Sequence, residues 1–328
     1  VRVRAPSRLH FGLLAFGDSA PRQFGGAGVM IERPETEVLV RLRRPGEPPR
    51  EPSSDEERRA CEFAARFREG LDSREDRERI SRLDIHVEKA ATAHVGLGSG
   101  TQLAMSVARA LAAFVGKSDM PPHELAERVG RGCRSAIGVH GFQLGGFIVE
   151  GGKSDPSRIS PLVARLNFPD DWHFVLVIPT DSKGRHGHAE REAFEQLAPV
   201  PPAVTADLCR LTLLGMLPAI AERDFQLFSE SLVEFGCKVG EFFSSMQGGV
   251  YASPLAGGVV DLLFRHGTRG IAQSSWGPTL CAVTESRFRA EWIAARLTDS
   301  FSPPTAQILC APANNRGAKI EVLNTSSQ

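Results

Sequence analysis

The sequence predicts an α+β fold built as two units, on three observations. Segments of period two and segments of helical period both recur, yet they do not alternate one for one as a doubly wound sheet requires. The 328 residues are enough for two hydrophobic cores. The character of the chain also shifts at the polar stretch Thr180-Asp181-Ser182-Lys183-Gly184-Arg185, beyond which helical stretches dominate. The division is placed at Lys183, giving units 1–183 and 184–328.

Residues 1–14 alternate and then turn apolar, as a strand does, and residues 36–42 repeat the pattern. Residues 44–54, rich in Pro, Arg and Glu, read as a loop. Residues 55–71 place Ala60, Phe63, Ala64 and Phe67 on one helical face. Residues 83–87 form a strand that leads into a glycine-rich loop. Residues 103–115 follow as a helix, with Leu103, Val107, Ala110, Leu111 and Phe114 in register. A helix at 122–129 and strands at 146–149 and 174–178 complete the first unit. The second has helices at 190–197, 203–223 and 225–239, strands at 271–273 and 280–283, a helix at 291–297 and a strand at 307–310.

Composition narrows the function classes. Hydrophobic residues make up 41% and charged residues 24%, as in globular enzymes, and 39 basic residues balance 39 acidic ones. That balance gives no reason to expect nucleic acid or an anionic membrane as partner. No run of roughly 18 apolar residues occurs, and Val1-Arg2-Val3-Arg4 alternates where a signal peptide would be apolar. A cytoplasmic protein is expected. The cysteines form no CxxC pair, and none lie closer than Cys209 and Cys237, which argues against a zinc ribbon or redox pair.

The strongest local signal is His94-Val95-Gly96-Leu97-Gly98-Ser99-Gly100-Thr101-Gln102 at the start of a helix. Glycines let backbone N–H groups approach an oxygen atom. The first N–H groups of a helix have no intrahelical partner, and the dipole adds about half a positive charge there. A phosphate is held by both effects, with the Ser99 and Thr101 hydroxyls as further donors. A tight strand–helix turn with no ligand satisfies the same glycines. The loop is neither a Walker A sequence nor a dinucleotide fingerprint.

Three segments together resemble the GHMP kinase superfamily: Ala5-Pro6-Ser7-Arg8-Leu9-His10-Phe11, the Gly96 loop, and Gln273-Ser274-Ser275-Trp276-Gly277-Pro278-Thr279. The resemblance implies the GHMP-kinase fold, with an N-terminal ribosomal-protein-S5-like domain and a C-terminal ferredoxin-like domain. The departures are informative. The second serine of the kinase loop, which helps hold Mg²⁺, is Gly100 here. Glu127 and Ser135 keep the kinase spacing of metal ligand and serine, but Gly138-Val139 is followed by His140 where kinases have a catalytic Asp. Without that acid a kinase lacks its proton acceptor. An ATP-dependent small-molecule kinase therefore stands as the alternative.

A narrower resemblance fits better. Arg8-Leu9-His10-Phe11-Gly12-Leu13, the loop ending in Thr101-Gln102, Ile137-Gly138-Val139-His140, Gly145-Gly146-Phe147-Ile148-Val149, Met246-Gln247-Gly248-Gly249-Val250 and Gln273-Ser274-Ser275-Trp276-Gly277-Pro278 look like the β-ribofuranosylaminobenzene 5′-phosphate synthases. This implies a decarboxylating transfer of ribose 5-phosphate from phosphoribosyl pyrophosphate to 4-aminobenzoate or 4-hydroxybenzoate, in tetrahydromethanopterin synthesis, by a homodimer.

Such a substrate needs two anion sites. The Gly96 loop suits one, and the basic, glycine-rich Lys183-Gly184-Arg185-His186 suits the other, unless it is a solvated linker. Mg²⁺ on the pyrophosphate would stabilise its departure, with Glu127 as ligand or else a surface residue. Arg8 offers a donor fork for carboxylate or phosphate, or a structural ion pair. His10 shares its strand face. His140 and His10 are the candidate bases. Gln102 and Gln247 suit hydrogen bonds to arene or ribose, Ser274 and Ser275 lie in the third motif, and Trp276 suits a stacking wall or the core.

Overall fold

The computed structural model describes residues 1–17, 20–180, 192, 197–301 and 304–323. Two long strands, β1 (Arg2–Ala15) and β2 (Phe24–Leu42), form the spine of the first sheet. β3 (Leu83–Lys89) and β4 (Phe147–Glu150) pair with different lengths of β2, β5 (Leu162–Leu166) extends β4, and β10 (Lys319–Glu321) pairs with β1. All these pairings are antiparallel. Five helices accompany the sheet: α1 (Asp55–Glu69), α2 (Arg74–Ser81), α3 (Ser99–Phe114), α4 (Pro122–Arg128) and α5 (Ile137–Leu144). Their apolar sides meet Val3, Ala5, Val38 and Val40 of the spine in one core.

The second sheet has the order β7-β8-β6-β9, again antiparallel, from β6 (His173–Pro179), β7 (Ile271–Gln273), β8 (Leu280–Thr284) and β9 (Ala306–Pro312). Between β6 and β7 run α6 (Pro202–Glu222), α7 (Phe225–Gln247) and α8 (Ala256–Arg265), and α9 (Arg287–Phe301) joins β8 to β9. Helices after the first strand, a hairpin, then a helix and a returning strand make this the ferredoxin-like arrangement.

β6 lies before the expected division at Lys183 but belongs to the second sheet, while β10 lies far beyond it and belongs to the first. The sheets change hands between Leu166 and His173. The helix expected at 190–197 falls outside the described residues except for Glu192 and Leu197. α6 reaches the mean hydropathy of a bilayer span, 1.4, but its Leu208, Leu211, Met216 and Ile220 are buried in the core, and Leu211–Met216 is wound as a π-helix.

One continuous core joins the two sheets. Leu9 and Phe11 of β1 and Phe147 of β4 meet Phe174 and Leu176 of β6 through Phe228, Leu232 and Phe235 of α7. The Phe228 ring stands edge-on to Phe147 at 6.2 Å and to Phe168 at 5.2 Å. Each such buried side chain contributes about 1.5–3 kcal/mol. α7 is therefore set against β1, the strand that carries Arg8 and His10.

α5 was absent from the sequence expectation because Gly138 and Gly141 each disfavour a helix by about 1 kcal/mol. It forms because a side chain at Gly141 would occupy the space of Met30, so the glycine is what lets α5 press against β2.

Candidate active site

The three sequence motifs meet at one place. Ser274, in the turn between β7 and β8, donates its hydroxyl to the Gly96 carbonyl (2.7 Å) and accepts the His10 N–H (3.0 Å). The Ser275 N–H donates to the His10 carbonyl (2.7 Å), and the Arg8 N–H to the Leu97 carbonyl (3.0 Å). β1, the glycine loop and the β7–β8 turn are thus one hydrogen-bonded unit. Ser274 is fully buried, so removing its hydroxyl strands the buried His10 N–H and leaves the Gly96 carbonyl only the long contact from Arg8. Ser274→Ala is expected to cost about 1–3 kcal/mol in denaturant titration; an unchanged midpoint would mean the three segments hold together without this link.

Beside this unit lies a cavity of about 380 Å³. Arg8 and His10 of β1, Thr101 of α3 and the loop Gly130-Arg131-Gly132-Cys133-Arg134-Ser135 form its polar walls. Val239 and Phe243 of α7 and Trp276 form an aromatic and apolar wall, with the Phe243 and Trp276 rings 4.7 Å apart. Gln273 and Gln247 close it: the Gln273 amide donates to Gln247 Oε1 (3.2 Å), and Gln247 donates to the Gly249 and Val250 carbonyls (3.0 and 2.8 Å).

The Arg8 guanidinium donates to the Gly96 carbonyl at 3.4 Å, and its stem crosses Gly98. A Cβ on Gly98, whose φ is +71°, would lie 2.5 Å from Arg8 Cγ. The glycine is therefore required by Arg8 as well as by any phosphate. His10 is buried, and neither ring nitrogen has a hydrogen-bond partner within the protein. Burial, and secondarily the charge of Arg8, hold its pKa well below the ordinary 6.5, so the ring is a neutral imidazole at neutral pH.

Other expected site residues sit elsewhere. Gln102 is fully buried and donates to the Gly138 carbonyl (2.9 Å), tying α3 to α5 rather than lining the cavity. Leu97 is in the core, Ser99 is buried in the first turn of α3, and His94 is half-buried in the loop with φ +62°. Gly100 lies beneath two guanidinium groups, a Cβ there being 2.8 Å from Arg59 Nη2 and 3.5 Å from Arg131 Nη2. His140 does not line the cavity: its Nε2 donates to the Ser160 carbonyl (2.8 Å), because α5 turns that face toward the segment before β5. Glu127 is exposed on α4, away from the cavity. Lys183, Arg185 and His186 lie outside the described residues.

Arg131, Arg134, Phe243 and Val239 were not anticipated. The alternation of Gly and Arg over residues 130–134 was the available signal for the first two. Their loop is held from behind by Glu150, whose Oε2 accepts the Ala136 N–H (2.7 Å) and whose carboxyl is pushed up by burial.

Among the described residues that line the cavity there is no Asp or Glu, and no cluster of three metal-ligating side chains occurs among the described residues. Mg²⁺ takes oxygen ligands and is repelled by guanidinium groups. The described residues at this cavity therefore do not fit a protein-held Mg²⁺, the exposed Glu127 included.

The family described as GHMP kinases N terminal domain matches residues 60–146. A protein of Archaeoglobus fulgidus named beta-ribofuranosylphenol 5′-phosphate synthase is 35% identical, covering 98% of this chain and all of its own length. The chain belongs to the beta-ribofuranosylphenol 5′-phosphate synthase family. A synthase of the same name from Methanothermobacter thermautotrophicus is 32% identical over 96% of this chain and 97% of its own. The solved homoserine kinase of Cytophaga hutchinsonii superposes with a TM-score of 0.67 at 18% identity, covering 97% of this chain and 96% of that one, which shows a shared GHMP-kinase fold. The synthase family and the position of His140 together disfavour the kinase alternative.

Proposed function

We propose that the cavity joins the ribose 5-phosphate of phosphoribosyl pyrophosphate to 4-hydroxybenzoate or 4-aminobenzoate, releasing CO₂ and pyrophosphate for tetrahydromethanopterin synthesis. The observation that carries this reading is His10, a buried neutral imidazole with two unused ring nitrogens, in the lining of a cavity that also has Arg8, Phe243 and Trp276 in its walls. An enzyme binding two anions and an arene needs these three kinds of surface together.

In this reading the arene lies against Trp276 and Phe243, and Arg8 takes its carboxylate in a donor fork. His10 accepts the proton of the para hydroxyl as the ring carbon bearing the carboxylate attacks the ribosyl carbon. That carbon–carbon bond forms as the bond from ribose to pyrophosphate breaks, the electron pair leaving with pyrophosphate. Loss of CO₂ returns its bonding pair to the ring, and His10 gives the proton back. No external electron acceptor is needed. The relatives are named for a ribofuranosylphenol product, which favours the hydroxy arene. We place the reaction in the cytoplasm and expect a homodimer, motivated by the exposed apolar pair Leu213 and Leu214 on α6; a sedimentation mass of one chain would remove the dimer.

Incubation with phosphoribosyl pyrophosphate and carboxyl-labelled 4-hydroxybenzoate or 4-aminobenzoate is expected to release labelled CO₂ and pyrophosphate in equal amounts. Absence of label release from both arenes would overturn the assignment.

A further inference from the structure

We infer that Glu150 and Lys153 are positioning residues: buried behind the cavity, they tether the 130–135 loop to the end of β4 and so fix the part of the wall that this loop gives to the donor's site. The inference deepens the phosphoribosyl-transfer reading and rests on it.

The loop is pliable by its own sequence. Gly130 and Gly132 have φ of +66° and +79°, and glycine has more conformational freedom to lose than any other residue. At its start the Arg131 N–H donates to the Ala126 carbonyl (2.7 Å). Two further tethers come from one short segment. The Lys153 ammonium donates to the Gly132 carbonyl (3.4 Å) and to the Pro156 carbonyl (3.2 Å). The Glu150 carboxylate accepts the N–H of Ala136 (2.7 Å), the residue that follows the cavity-lining Ser135.

That segment is itself firmly held. Lys153 exchanges both backbone hydrogen bonds with Gln23 (2.7 and 2.9 Å), and the Arg22 guanidinium donates to the Gly151 and Gly152 carbonyls (both 2.8 Å). Glu150 pairs with Gly26 of β2. A Cβ on Gly26 would stand 3.1 Å from His10 Nε2, so this stretch of sheet also makes room for the imidazole. One platform thus sets both the ring and the loop.

Both groups stand where charge is costly. Glu150 is fully buried and Lys153 is 4% exposed. Burial pushes the carboxyl up and the ammonium down, the direction that neutralises each, and the Ser135 and Ser160 hydroxyls oppose it at Glu150. An apolar side chain of similar volume would avoid that penalty, but it could hold neither an N–H nor a carbonyl of the loop.

Amide hydrogen exchange, read peptide by peptide on the whole chain, and labelled CO₂ release test this in Lys153→Met, Glu150→Leu and Glu150→Gln. The first two are expected to speed exchange over 130–136 by about tenfold or more, the scale of a lost buried hydrogen bond, while peptides of β6 and α7 exchange as in the parent. In the same two variants kcat/KM for phosphoribosyl pyrophosphate should also fall by about tenfold or more, as the wall loses its shape. Glu150→Gln keeps an acceptor for the Ala136 N–H and should stay within about threefold of the parent in both readings. The inference is overturned if exchange over 130–136 is unaltered in both of the first two variants. It is equally overturned if exchange rises as much in β6 and α7, which marks a general loss of stability, if kcat/KM is unaltered where the loop has loosened, or if Glu150→Gln behaves like Glu150→Leu. Turnover by the parent with unaltered exchange in the variants removes the tether and keeps the reaction. Faster exchange confined to 130–136, with no turnover by the parent, removes the reaction and keeps the tether.

Discussion

Replacing His10 by Asn is expected to lower turnover by about 10²-fold or more, the usual scale for a positioned acid or base, while pyrophosphate affinity stays within about threefold. Asn can donate a hydrogen bond but cannot take up a proton near neutrality. An effect on turnover without one on donor binding would mark an interaction made in the transition state. The pH dependence follows from the direction of the shift. His10 is held well below its ordinary 6.5 by burial and by Arg8, so its basic form persists as the pH falls past that value, and the acid limb of the rate profile should lie below the ordinary histidine range. Stability responds too. The unfolded chain takes up this proton near pH ~6.5 while the folded chain still refuses it, so this residue's contribution to stability is fully present above that pH and is lost progressively as the pH falls from there through the lower folded-state value. His140→Asn is the control. Its ring is engaged by the Ser160 carbonyl outside the cavity, and turnover should stay within about threefold. If the His10 variant behaves like that control, with an unaltered pH profile, the proton moves through another group.

Gly96→Val is expected to be the most damaging substitution in the glycine loop. Gly96 has φ +90°, a conformation that costs a side-chain-bearing residue about 1–3 kcal/mol. Its Cβ would also press into the Ser274 carbonyl and come within 3.2 Å of the Gly277 carbonyl. Both obstacles are backbone of the β7–β8 turn, which cannot rotate aside, and overpacking of this kind costs about 1–3 kcal/mol more. The variant should therefore unfold at clearly lower denaturant and lose turnover together. Gly98→Val meets the flexible stem of Arg8 instead, so it should impair binding through Arg8 at a smaller cost to folding. A Gly96 variant with the parental midpoint and parental turnover would show that the glycine loop and the turn are not coupled.

The parts of this fold legible from the sequence are those in which local pattern and tertiary role coincide. The strand–loop–helix around Gly96, the face of α1 and the apolar run of β6 all advertise their burial. Arg8 and His10 were legible because a period of two keeps them on one strand face. α5 and the first half of β2 were not, since their glycines are there for close approach to other elements, and that is a property of pairs of segments. Gln102 and Ser274 illustrate the same limit within the site. Both belong to the motifs, yet each spends its polar group on holding backbone, and only the fold distinguishes a residue that touches the cavity from one that shapes it. The arginine loop was missed for a complementary reason: its charges look like ordinary surface until Gly100 is seen to lie beneath them.

β10 has a consequence for how the chain comes to be folded. Arg2 lies opposite Glu321, and the Arg4 guanidinium bonds the Glu321 carboxylate at 3.0 Å across almost the whole length of the chain. During synthesis the first sheet can assemble from β1 to β5, but its outer edge beside β1 stays open until the last strand leaves the ribosome. Every residue of the second sheet is made in that interval. Such long sequence separations slow folding, and an open strand edge invites pairing with other chains. The nascent protein is thus open along the Arg2–Arg4 end of β1, and β10 closes it.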